Sequence, residues 1–425
     1  MTGPATLDDW LAHWTALHAQ PIVLGLERVA AVASRMGLGR PAPVCITVGG
    51  TNGKGSTVAF LDAILRAAGH SVGCYTSPHL LAYNERVRID GVVVDDAELV
   101  AAFARIEAAR GGVPLTYFEA GTLAALAVFE ARAVDVAVLE VGLGGRLDAV
   151  NIVDADVSIV TTVDLDHQAF LGPDRESIGR EKAGIFRTGR PAVVGDHDPP
   201  ASLLRHAGEI GALLQRAGID FRIGPATGQG LRVEHADGRA WELAQPALPG
   251  DFQERNAACA IVALHALRAV LPIAPAAIAH GVANARCAGR LQRIAVAPET
   301  FVDVAHNPQA ARALAHWLDG LPTVPTAAVF AALGDKDIDG IATALRASFA
   351  HWWVAGLAGE SPRGLDADAT LRRLASAGIA AQATASVAEA LHAARASVGP
   401  GGRVLAFGSF LTVAAAMRAV GLHQA

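Results

Sequence analysis

The sequence predicts an α/β protein, in which a mostly parallel sheet domain is followed by a smaller, Rossmann-like open α/β domain. Strand-like and helix-like runs alternate along the chain, as they do in βαβ units. A β-rich run over 43–48 leads through a glycine-rich loop into a run with helical spacing of its apolar residues. The alternation starts again after residue 298, which indicates a second domain.

Length and composition are typical of a folded protein with two or three domains. The chain has 425 residues, of which 52% are hydrophobic and 18% charged, and this excludes a disordered protein. The apolar runs are short or broken by Pro, His and Arg, so no membrane span is predicted, and MTGPATLDDW lacks the pattern of a signal peptide. A net charge of −6 argues against non-specific binding of nucleic acid.

The cysteines have neither zinc-ligand nor disulfide-framework spacing. Cys45, Cys74, Cys259 and Cys287 stand in apolar or alanine-rich surroundings, where buried and inert thiols are expected. Free thiols are typical of a cytoplasmic protein, and we expect that location.

The elements of the first domain follow in order from residue 43. After the first strand and the glycine loop we expect a helix over 56–69 that ends at a glycine, then a strand over 71–76. A hairpin is predicted over 85–94, with Asp90 and Gly91 at its turn. A helix over 118–132 and buried strands over 134–141 and 156–163 complete the pattern.

The domain boundary is predicted where helical spacing is lost. We expect the first domain over 1–288, a linker over 289–297 and the second domain over 298–425. Its strands are predicted in FVDVA, TAAVFAAL, WWVAGL and RVLAF, and its helices from Pro308, Ile341, Asp366, Ser386 and Thr412. This alternation is typical of a small open sheet.

The stretch VGGTNGKGST, residues 48–57, is close to the phosphate-binding pattern G-x-x-x-x-G-K-[ST], except that Gly55 separates Lys54 from Ser56. Glycines let the backbone approach phosphate oxygens, and N–H groups at a helix N-terminus attract them. We therefore predict that the first domain contains a P-loop, in which Lys54 binds phosphate and Ser56 or Thr57 faces phosphate or Mg²⁺. The alternative is a tight βα turn with an incidental lysine.

Glu140 is predicted at the carboxyl end of the strand over 134–141, where α/β sheets bind ligands. A buried carboxylate is costly without a partner, and Mg²⁺ prefers oxygen ligands, so Glu140 is a candidate magnesium ligand. The alternative is a water-exposed strand end. In the glycine-rich loop that follows, Arg146 and Asp148 could orient an acidic ligand or pair with each other.

Other polar residues also follow predicted strands. Asp164, Asp166 and His167 come after the strand over 156–163, and the two acids favour a metal ligand or proton carrier over a structural histidine. Ser77 in TSPHL could offer an oxygen near the P-loop, but a Ser-Pro turn explains this serine equally well. For Lys182 in GREKAGIFR, the local sequence does not distinguish a functional lysine from an exposed surface charge.

In the second domain, VDVAHNPQA has the pattern of strand, turn and helix. Asn307 suits the N-cap and Pro308 the first helical turn. Capping does not explain Asp303 and His306 at the strand end, so we expect these two side chains to contact nucleotide or the reacting groups.

Nine short motifs occur in order between about residues 24 and 410: GTNGKGS, TSPHL, EVGLGGRLDAVN, DHQAFLG, REKAGIF, ERN, GRLQ, DVAHNP and FGSF. Together they resemble the folylpolyglutamate synthase/dihydrofolate synthase family, within the muramyl-ligase superfamily. The glycine after Lys54 is that family's own form of the loop.

The resemblance implies ATP and Mg²⁺ as cofactors. Ser77, Glu140 and His167 match magnesium-linked positions, and Lys182 matches a lysine that CO₂ carbamylates in related ligases. Nucleotide-binding positions match Gly50, Thr51, Asn52, Gly53, Lys54, Gly55, Ser56, Asn256, Arg290 and Asp303. The implied catalytic residues are Lys54, His167, Lys182, Asp303 and His306.

The resemblance further implies an ATP-dependent ligase that joins L-glutamate to dihydropteroate and to the glutamate tail of reduced folates through an acyl phosphate, releasing ADP and phosphate. The implied folate-binding surface comprises Leu24, Gly25, Leu26, Glu27, Arg28, Thr116, Tyr117, Phe118, Glu119, Leu147, Asp148 and Ala149. We expect a monomer with no nucleic-acid or membrane partner.

Three alternatives stay open at this point. The enzyme could have only one of the two activities, or it could be another muramyl-type amino-acid ligase, which the short segment ahead of the P-loop disfavours. A nucleotide-gated switch protein would use the loop without ligation, and the acids and histidine at successive strand ends disfavour that function.

Overall fold

Residues 4–18, 20, 22–226 and 230–422 are described in the structure, a computed structural model. The chain divides into two units. The first comprises Met1–Pro78, Asn84–Ala247 and Gln253–Arg286, and the second comprises His79–Tyr83, Leu248–Phe252 and Cys287–Ala425. Two short segments of the expected first domain therefore belong to the second unit.

The strands of the main sheet in the first unit are β1 Val44–Gly49, β2 Val72–Tyr75, β3 Val87–Ile89, β4 Val92–Val93, β5 Val136–Glu140, β6 Val157–Val160, β7 Pro191–Val194 and β8 Leu213–Arg216. Their order is β4-β3-β2-β5-β1-β6-β7-β8. Neighbours from β2 to β8 pair in parallel, while β3 pairs antiparallel with β2 and β4. The mostly parallel sheet predicted from the sequence is confirmed.

The central strands β1, β5 and β6 are buried along their whole length, as their continuous apolar runs predicted. The hairpin of β3 and β4 turns at Asp90 and Gly91, both with positive φ, at 52° and 79°. Glycine and aspartate tolerate this conformation, which two-residue hairpins require. The predicted hairpin is therefore confirmed.

The helices numbered here up to residue 284 are α1 Leu7–Leu17, α2 Glu27–Arg35, α3 Lys54–Ala67, α4 Asp96–Arg110, α5 Tyr117–Arg132, α6 Gln168–Leu171, α7 Arg175–Ala183, α8 Ala201–Ile210, α9 Phe252–Ala266 and α10 Pro275–Asn284. The predicted helices over 56–69 and 118–132 are α3 and α5. No helix within the described ranges combines the length and the apolar character needed to cross a membrane.

A separate antiparallel sheet in the first unit consists of β9 Phe221–Pro225, β10 Leu231–His235 and β11 Ala240–Leu243, in the order β11-β10-β9. This sheet was not predicted from the sequence. Its strands are short, and in β10 and β11 buried residues alternate with less buried ones, so they lack the continuous apolar runs of the main sheet.

The second unit has its own sheet, formed by β12 Gln292–Val296, β13 Glu299–Asp303, β14 Thr326–Phe330, β15 His351–Ala355, β16 Ala381–Thr384 and β17 Arg403–Phe407. The order is β12-β13-β17-β14-β15-β16, with only β12 antiparallel to its neighbour among these strands. The helices are α11 Pro308–Asp319, α12 Ile338–Leu345, α13 Ala367–Ser376, α14 Val387–Val398 and α15 Phe410–Ala419.

Apolar side chains cover both faces of this second sheet. Ala328 and Phe330 of β14 belong to one buried cluster, and Ala327 and Val329 belong to another, because alternate residues of a strand point to opposite faces. The alternating elements predicted after residue 298 are confirmed. The expected linker over 289–297 contains β12, which has no helical period because it is a strand.

Three of the four cysteines are buried, as the sequence predicted. Cys45, Cys74 and Cys259 are buried, and burial raises the pKa of Cys45 to about 11 and that of Cys259 to about 12. Cys287 departs from the prediction because it is only half-buried.

Replacing glycine by alanine should change the stability of the protein in opposite directions at two helical positions. A Cβ at Gly281 of α10 would lie 2.5 Å from the Cα of Ile64 in α3, whereas a Cβ at Gly208 of α8 would meet nothing within 4 Å. We expect Gly281→Ala to lower the free energy of unfolding by about 1–3 kcal/mol through overpacking. Gly208→Ala should raise it by about 0.5–1 kcal/mol through helix propensity. Urea denaturation of both variants tests this, and equal shifts would contradict the close packing of α10 on α3.

Candidate functional site

The carboxyl ends of four neighbouring parallel strands, β2, β5, β1 and β6, lie side by side in the first unit. The register pairs Tyr75 with Leu139, Val48 with Glu140, and Gly49 with Val160. The loops that follow these strands therefore begin at the same edge of the sheet. Open α/β sheets bind ligands at this edge, and the P-loop, Ser77, Glu140 and His167 stand at the ends of these strands or in the loops that follow them.

The P-loop connects β1 to α3 and requires glycine at two positions. Gly50 has φ 138° and Gly53 has φ 90°, both in the region that favours glycine. A Cβ at Gly50 would collide with Oγ1 of Thr161, and one at Gly53 with Oδ1 of Asn256. Gly55 lies in the first turn of α3. The predicted strand–loop–helix setting is confirmed.

The end of β6 holds the P-loop in place. The backbone N–H of Thr51 donates to the carbonyl of Thr162 at 2.7 Å, and Asn52 N–H donates to the Thr162 hydroxyl at 3.1 Å. Thr161 Oγ1 donates to the Asn52 carbonyl at 2.6 Å. These two threonines were not predicted as functional residues, although two hydroxyl residues directly after a buried strand are a signal that could have identified them.

The side chain of Lys54 folds back over the loop. Its Nζ donates to the carbonyls of Gly50 at 3.0 Å and Thr51 at 3.2 Å. The ammonium group is therefore positioned over the loop whose N–H groups and helix N-terminus form the predicted phosphate site.

Glu140 ends β5 and is 4% exposed, so it is not the water-exposed strand end that was the alternative. Its Oε2 accepts a hydrogen bond from the backbone N–H of Ser77 at 3.1 Å. The structure thus brings Ser77 and Glu140 together. A carboxylate and a hydroxyl are hard oxygen donors, and this donor set fits Mg²⁺.

Lys182 of α7 is 4% exposed, which contradicts its interpretation as an exposed surface charge. Burial lowers the pKa of Lys182 to about 7, and the charge of Lys54 lowers it further against the opposing charges of Asp166 and Asp148. A large part of this amine is therefore neutral near pH 7.

Asp148 is also buried, and burial raises its pKa to about 7. Its carboxylate accepts backbone hydrogen bonds from Leu143 at 2.8 Å and Val150 at 3.0 Å, which order the glycine-rich loop after β5. The alternative that Asp148 pairs with Arg146 is wrong, because Arg146 pairs with Glu181 at 2.8 Å.

His167 stands at the N-terminus of the short helix α6 with φ 51°. Its backbone N–H donates to Asp166 Oδ1 at 2.9 Å, and its Nε2 lies 3.9 Å from the same oxygen. His167 and Asp166 therefore lie together after β6, and the role of His167 as a metal ligand or proton carrier stays a prediction.

Asn256, in the ERN motif, lies in the first turns of α9 beside the P-loop. Its Nδ2 donates to Gln253 Oε1 at 2.9 Å, and both side chains are buried. Its Oδ1, next to Gly53, has no hydrogen-bond partner among the described residues, so it offers an acceptor to a ligand.

The three segments of the implied folate-binding surface meet in the structure. Gly25 N–H donates to the carbonyl of Leu147 at 3.2 Å, and Arg28 Nη2 lies 3.0 Å from Oε1 of buried Glu119. Glu119 also forms a capping box with Thr116 at the start of α5. Segments far apart in sequence therefore form one surface. The other members of this surface are Leu24, Leu26, Glu27, Tyr117, Phe118, Asp148 and Ala149.

In the second unit, the GRLQ, DVAHNP and FGSF motifs come together. Asp303 accepts backbone hydrogen bonds from Leu291 at 2.9 Å and from Ala305 at 2.8 Å, so it ties two of the loops to each other. Burial raises the pKa of Asp303, against the opposing charge of Arg290. The Arg290 guanidinium lies 5.4 Å from the ring centre of Phe410.

His306 lies in the same cluster. Its Nδ1 is 2.7 Å from the carbonyl of Val304, and its ring centre is 6.4 Å from that of Phe410. The next residue, Asn307, caps α11 by accepting from the N–H of Ala310, with Pro308 in the first turn, as predicted.

Comparison with known proteins gives two family matches. Residues 48–264 match the Mur ligase middle domain, and residues 289–410 match the Mur ligase glutamate ligase domain. The chain is 46% identical to the dihydrofolate synthase/folylpolyglutamate synthase of Escherichia coli strain K12 over 415 residues, which cover 97% of this chain and 95% of that protein.

Solved structures agree with this match. The structure described as E. coli FolC in complex with DHPP and ADP has a TM-score of 0.93 and 45% identity, over 99% of both chains. The bifunctional folylpolyglutamate synthase/dihydrofolate synthase of Yersinia pestis, complexed with AMPPNP and Mn ion, has a TM-score of 0.92 and 45% identity, over 99% of this chain and 100% of that chain. The chain belongs to the dihydrofolate synthase/folylpolyglutamate synthase family of Mur ligases.

Proposed function

We propose that this protein ligates L-glutamate to dihydropteroate and to the glutamate tail of reduced folates, using ATP. The single observation that carries the proposal is the P-loop at the same sheet edge as buried Glu140, with buried Lys182 of α7 near enough for the charge of Lys54 to lower its pKa. The relatives that bind ADP with DHPP, or AMPPNP with Mn ion, support it. The expectations of a monomer and of a cytoplasmic location stay predictions.

A carboxylate is a poor electrophile, so the reaction needs activation. In the first step, an oxygen of the acceptor carboxylate attacks the γ-phosphorus of ATP, and the bond from phosphorus to the bridging oxygen breaks to release ADP. In the second step, the neutral amine of glutamate attacks the acyl phosphate carbon, phosphate leaves, and the amine loses a proton. The protein mainly positions these groups and stabilises charge.

Lys54 and the loop N–H groups are proposed to bind the β- and γ-phosphates of ATP. Lys54 already lies over the loop, 3.0 Å from the Gly50 carbonyl, so a bound phosphate would exchange weak carbonyl partners for a strong anionic one. Thr161 and Thr162 keep the loop N–H groups in position. Asn256 and Arg290 are proposed nucleotide contacts, in the first and the second unit respectively.

Ser77, Glu140 and His167 are proposed to hold Mg²⁺. The metal would neutralise charge on the transferred phosphoryl group. The buried Glu140 carboxylate fits this role because carboxylate oxygens are the ligands that Mg²⁺ prefers in proteins.

Lys182 is proposed to react as a neutral amine with CO₂. Nitrogen attacks the carbon of CO₂, the amine loses a proton, and a carbamate anion replaces the buried neutral amine. The new anion would lie near Lys54, whose charge already influences Lys182.

Asp303 or His306 is proposed as the base that removes a proton from the glutamate amine. Both carboxylate oxygens of Asp303 already accept hydrogen bonds from backbone N–H groups. This favours His306 as the base.

The activity is tested with radiolabelled L-glutamate and two acceptors, dihydropteroate and a monoglutamylated reduced folate. We expect incorporation into both, with one ADP released per glutamate. Lys54→Ala should lower kcat by about 10²-fold or more through lost charge stabilisation, with folding kept. Arg66→Ala is the control, because Arg66 lies on the same helix but pairs with Asp62 at the surface.

Other results of this assay would favour a different function. Incorporation into one acceptor alone would reduce the proposal to a single activity, and incorporation into a UDP-linked acceptor would favour a muramyl-type ligase. ATP hydrolysis that ignores both acceptor and glutamate would favour a switch protein. Normal ligation by the Lys54→Ala variant would refute the role of the P-loop.

Glu140→Gln tests the metal site. Removing the charge should raise the Mg²⁺ concentration for half-maximal activity by about 10-fold or more. A magnesium titration of initial rates measures this. Glu130→Gln, at the end of α5 where Glu130 pairs with Arg105, is the matched control and should leave the titration unchanged. An unchanged titration in Glu140→Gln would argue against direct ligation.

Carbamylation of Lys182 should depend on pH in a defined direction. Because its pKa is lowered to about 7, the neutral amine increases as pH rises through that value. The neutral fraction should rise from about one tenth at pH 6 to about nine tenths at pH 8. NMR with ¹³C-bicarbonate should therefore show a carbamate signal that grows over this range.

The chain has three lysines, Lys54, Lys182 and Lys336, which gives a matched control. The signal should disappear in Lys182→Ala and persist in Lys336→Ala. A small carboxylic acid added to Lys182→Ala should restore part of the activity. Absence of the carbamate signal at pH 8 and saturating bicarbonate would contradict the proposal.

A further inference from the structure

A cluster of two histidines and one aspartate lies in the first unit and has no part in the proposed ligation. His235 ends β10, Asp237 stands in the turn to β11, and His265 lies near the end of α9. One ligand atom from each residue lies within 4.8 Å of the other two. Along α9, His265 is nine residues beyond Asn256, or about 14 Å of helix, so the cluster is remote from the P-loop.

Each imidazole faces a different oxygen of the same carboxylate. His235 Nδ1 lies 2.9 Å from Asp237 Oδ1, and His265 Nε2 lies 2.7 Å from Oδ2. An ionised carboxylate and a neutral imidazole are the forms that bind metal ions.

The hydrogen bond between His235 and Gln215 leaves Nδ1, which faces Asp237, as the ring nitrogen that could bind a metal ion. Its Nε2 lies 2.6 Å from the amide oxygen of Gln215, which requires the N–H at that position. Its Nδ1 lies 3.3 Å from the backbone nitrogen of Asp237 and 2.9 Å from Asp237 Oδ1. A metal ion bound at Nδ1 would displace any proton that Nδ1 shares with this carboxylate, because metal ligands bind in their deprotonated form.

We propose that His235, Asp237 and His265 form a binding site for a divalent transition-metal ion of the zinc type. Two imidazoles and one carboxylate suit Zn²⁺ better than Mg²⁺, which prefers oxygen donors. A metal-binding histidine usually donates the N–H of its other ring nitrogen to a neighbouring group, which fixes the orientation of the ring. Gln215 is that group for Nε2 of His235.

The geometry needs only small adjustments. Zinc ligands at about 2.0–2.2 Å from the ion stand about 3.3 Å apart in a tetrahedron. The Asp237 side chain is 38% exposed on its turn and can move outward, which also leaves an open position for water. Arg268 Nη2 lies 4.0 Å from the Asp237 carboxylate, but its side chain is 59% exposed, so solvent screens its repulsion of a cation.

The bound ion would join the antiparallel sheet of β9, β10 and β11 to helix α9. At present the sheet contacts this part of α9 through the cluster and through Trp241, whose ring centre lies 5.2 Å from that of His265. A metal bridge between the β10–β11 turn and α9 should therefore stabilise the folded chain.

The test uses the full-length protein, stripped with a chelator and titrated with ZnCl₂ in millimolar Mg²⁺ by calorimetry. We expect one Zn²⁺ per chain, and the affinity should fall at least about 10-fold in Asp237→Asn and in His235→Gln. Zn²⁺ should raise the Tm of the wild-type chain but not of these variants. His280→Gln, at an exposed histidine of α10, is the matched control and should bind as the wild type does.

Two comparisons keep the result unambiguous. Glu140→Gln should retain this Zn²⁺, whereas loss of binding in that variant would place the ion at the proposed magnesium site and overturn the proposal. Equal affinities in wild type, Asp237→Asn and His235→Gln would overturn it as well, as would no binding by the wild type at 100-fold excess of Zn²⁺. His235 and Asp237 stand at the end of β10 and in its turn, so both variants should fold, and circular dichroism checks this.

Discussion

The hydrogen bonds between the P-loop and the end of β6 set the geometry on which the rest of the site depends. Thr161 and Thr162 fasten the loop after β1 to the neighbouring strand, so the loop N–H groups keep one arrangement without a ligand. An arrangement that exists before binding costs little reorganisation when phosphate arrives. The close approach of Gly50 to Thr161 is the reason that this position requires glycine.

Buried charge is the second constraint on this edge of the sheet. Glu140, Asp148 and Lys182 are all almost completely buried, and burial moves the pKa of Asp148 up and that of Lys182 down, each to about 7. Groups that titrate near neutral pH change their charge with small changes in their surroundings. The same burial that destabilises an ammonium at Lys182 makes its amine a nucleophile, and so serves the proposed chemistry.

The second unit uses a carboxylate differently. Both carboxylate oxygens of Asp303 accept hydrogen bonds from backbone N–H groups, and Asp303 therefore positions the loops that carry Arg290 and His306. Its place at the end of β13 is the same kind of strand end that Glu140 occupies in the first unit. Position at a strand end thus identified both residues, whereas only the structure shows that Glu140 accepts from the backbone N–H of Ser77 and that Asp303 accepts from two backbone N–H groups.

The sequence by itself determined the fold class, the order of the main strands and helices, the P-loop and the strand-end residues, because these depend on local periodicity and on glycine patterns. It also predicted the cap at Asn307 and the hairpin turn at Asp90, which are short-range features. The small antiparallel sheet escaped prediction because its strands have weak local patterns.

Only the tertiary structure decided the burial of Lys182, the partner of Arg146 and the meeting of Arg28 with Glu119. The same holds for the cluster of His235, Asp237 and His265, whose last member is 28 residues away from Asp237 in sequence. Local patterns carry no information about such contacts, since burial and charge pairing arise when distant segments pack. Sequence therefore located the chemistry at strand ends, and packing decided the protonation and the partners of each group.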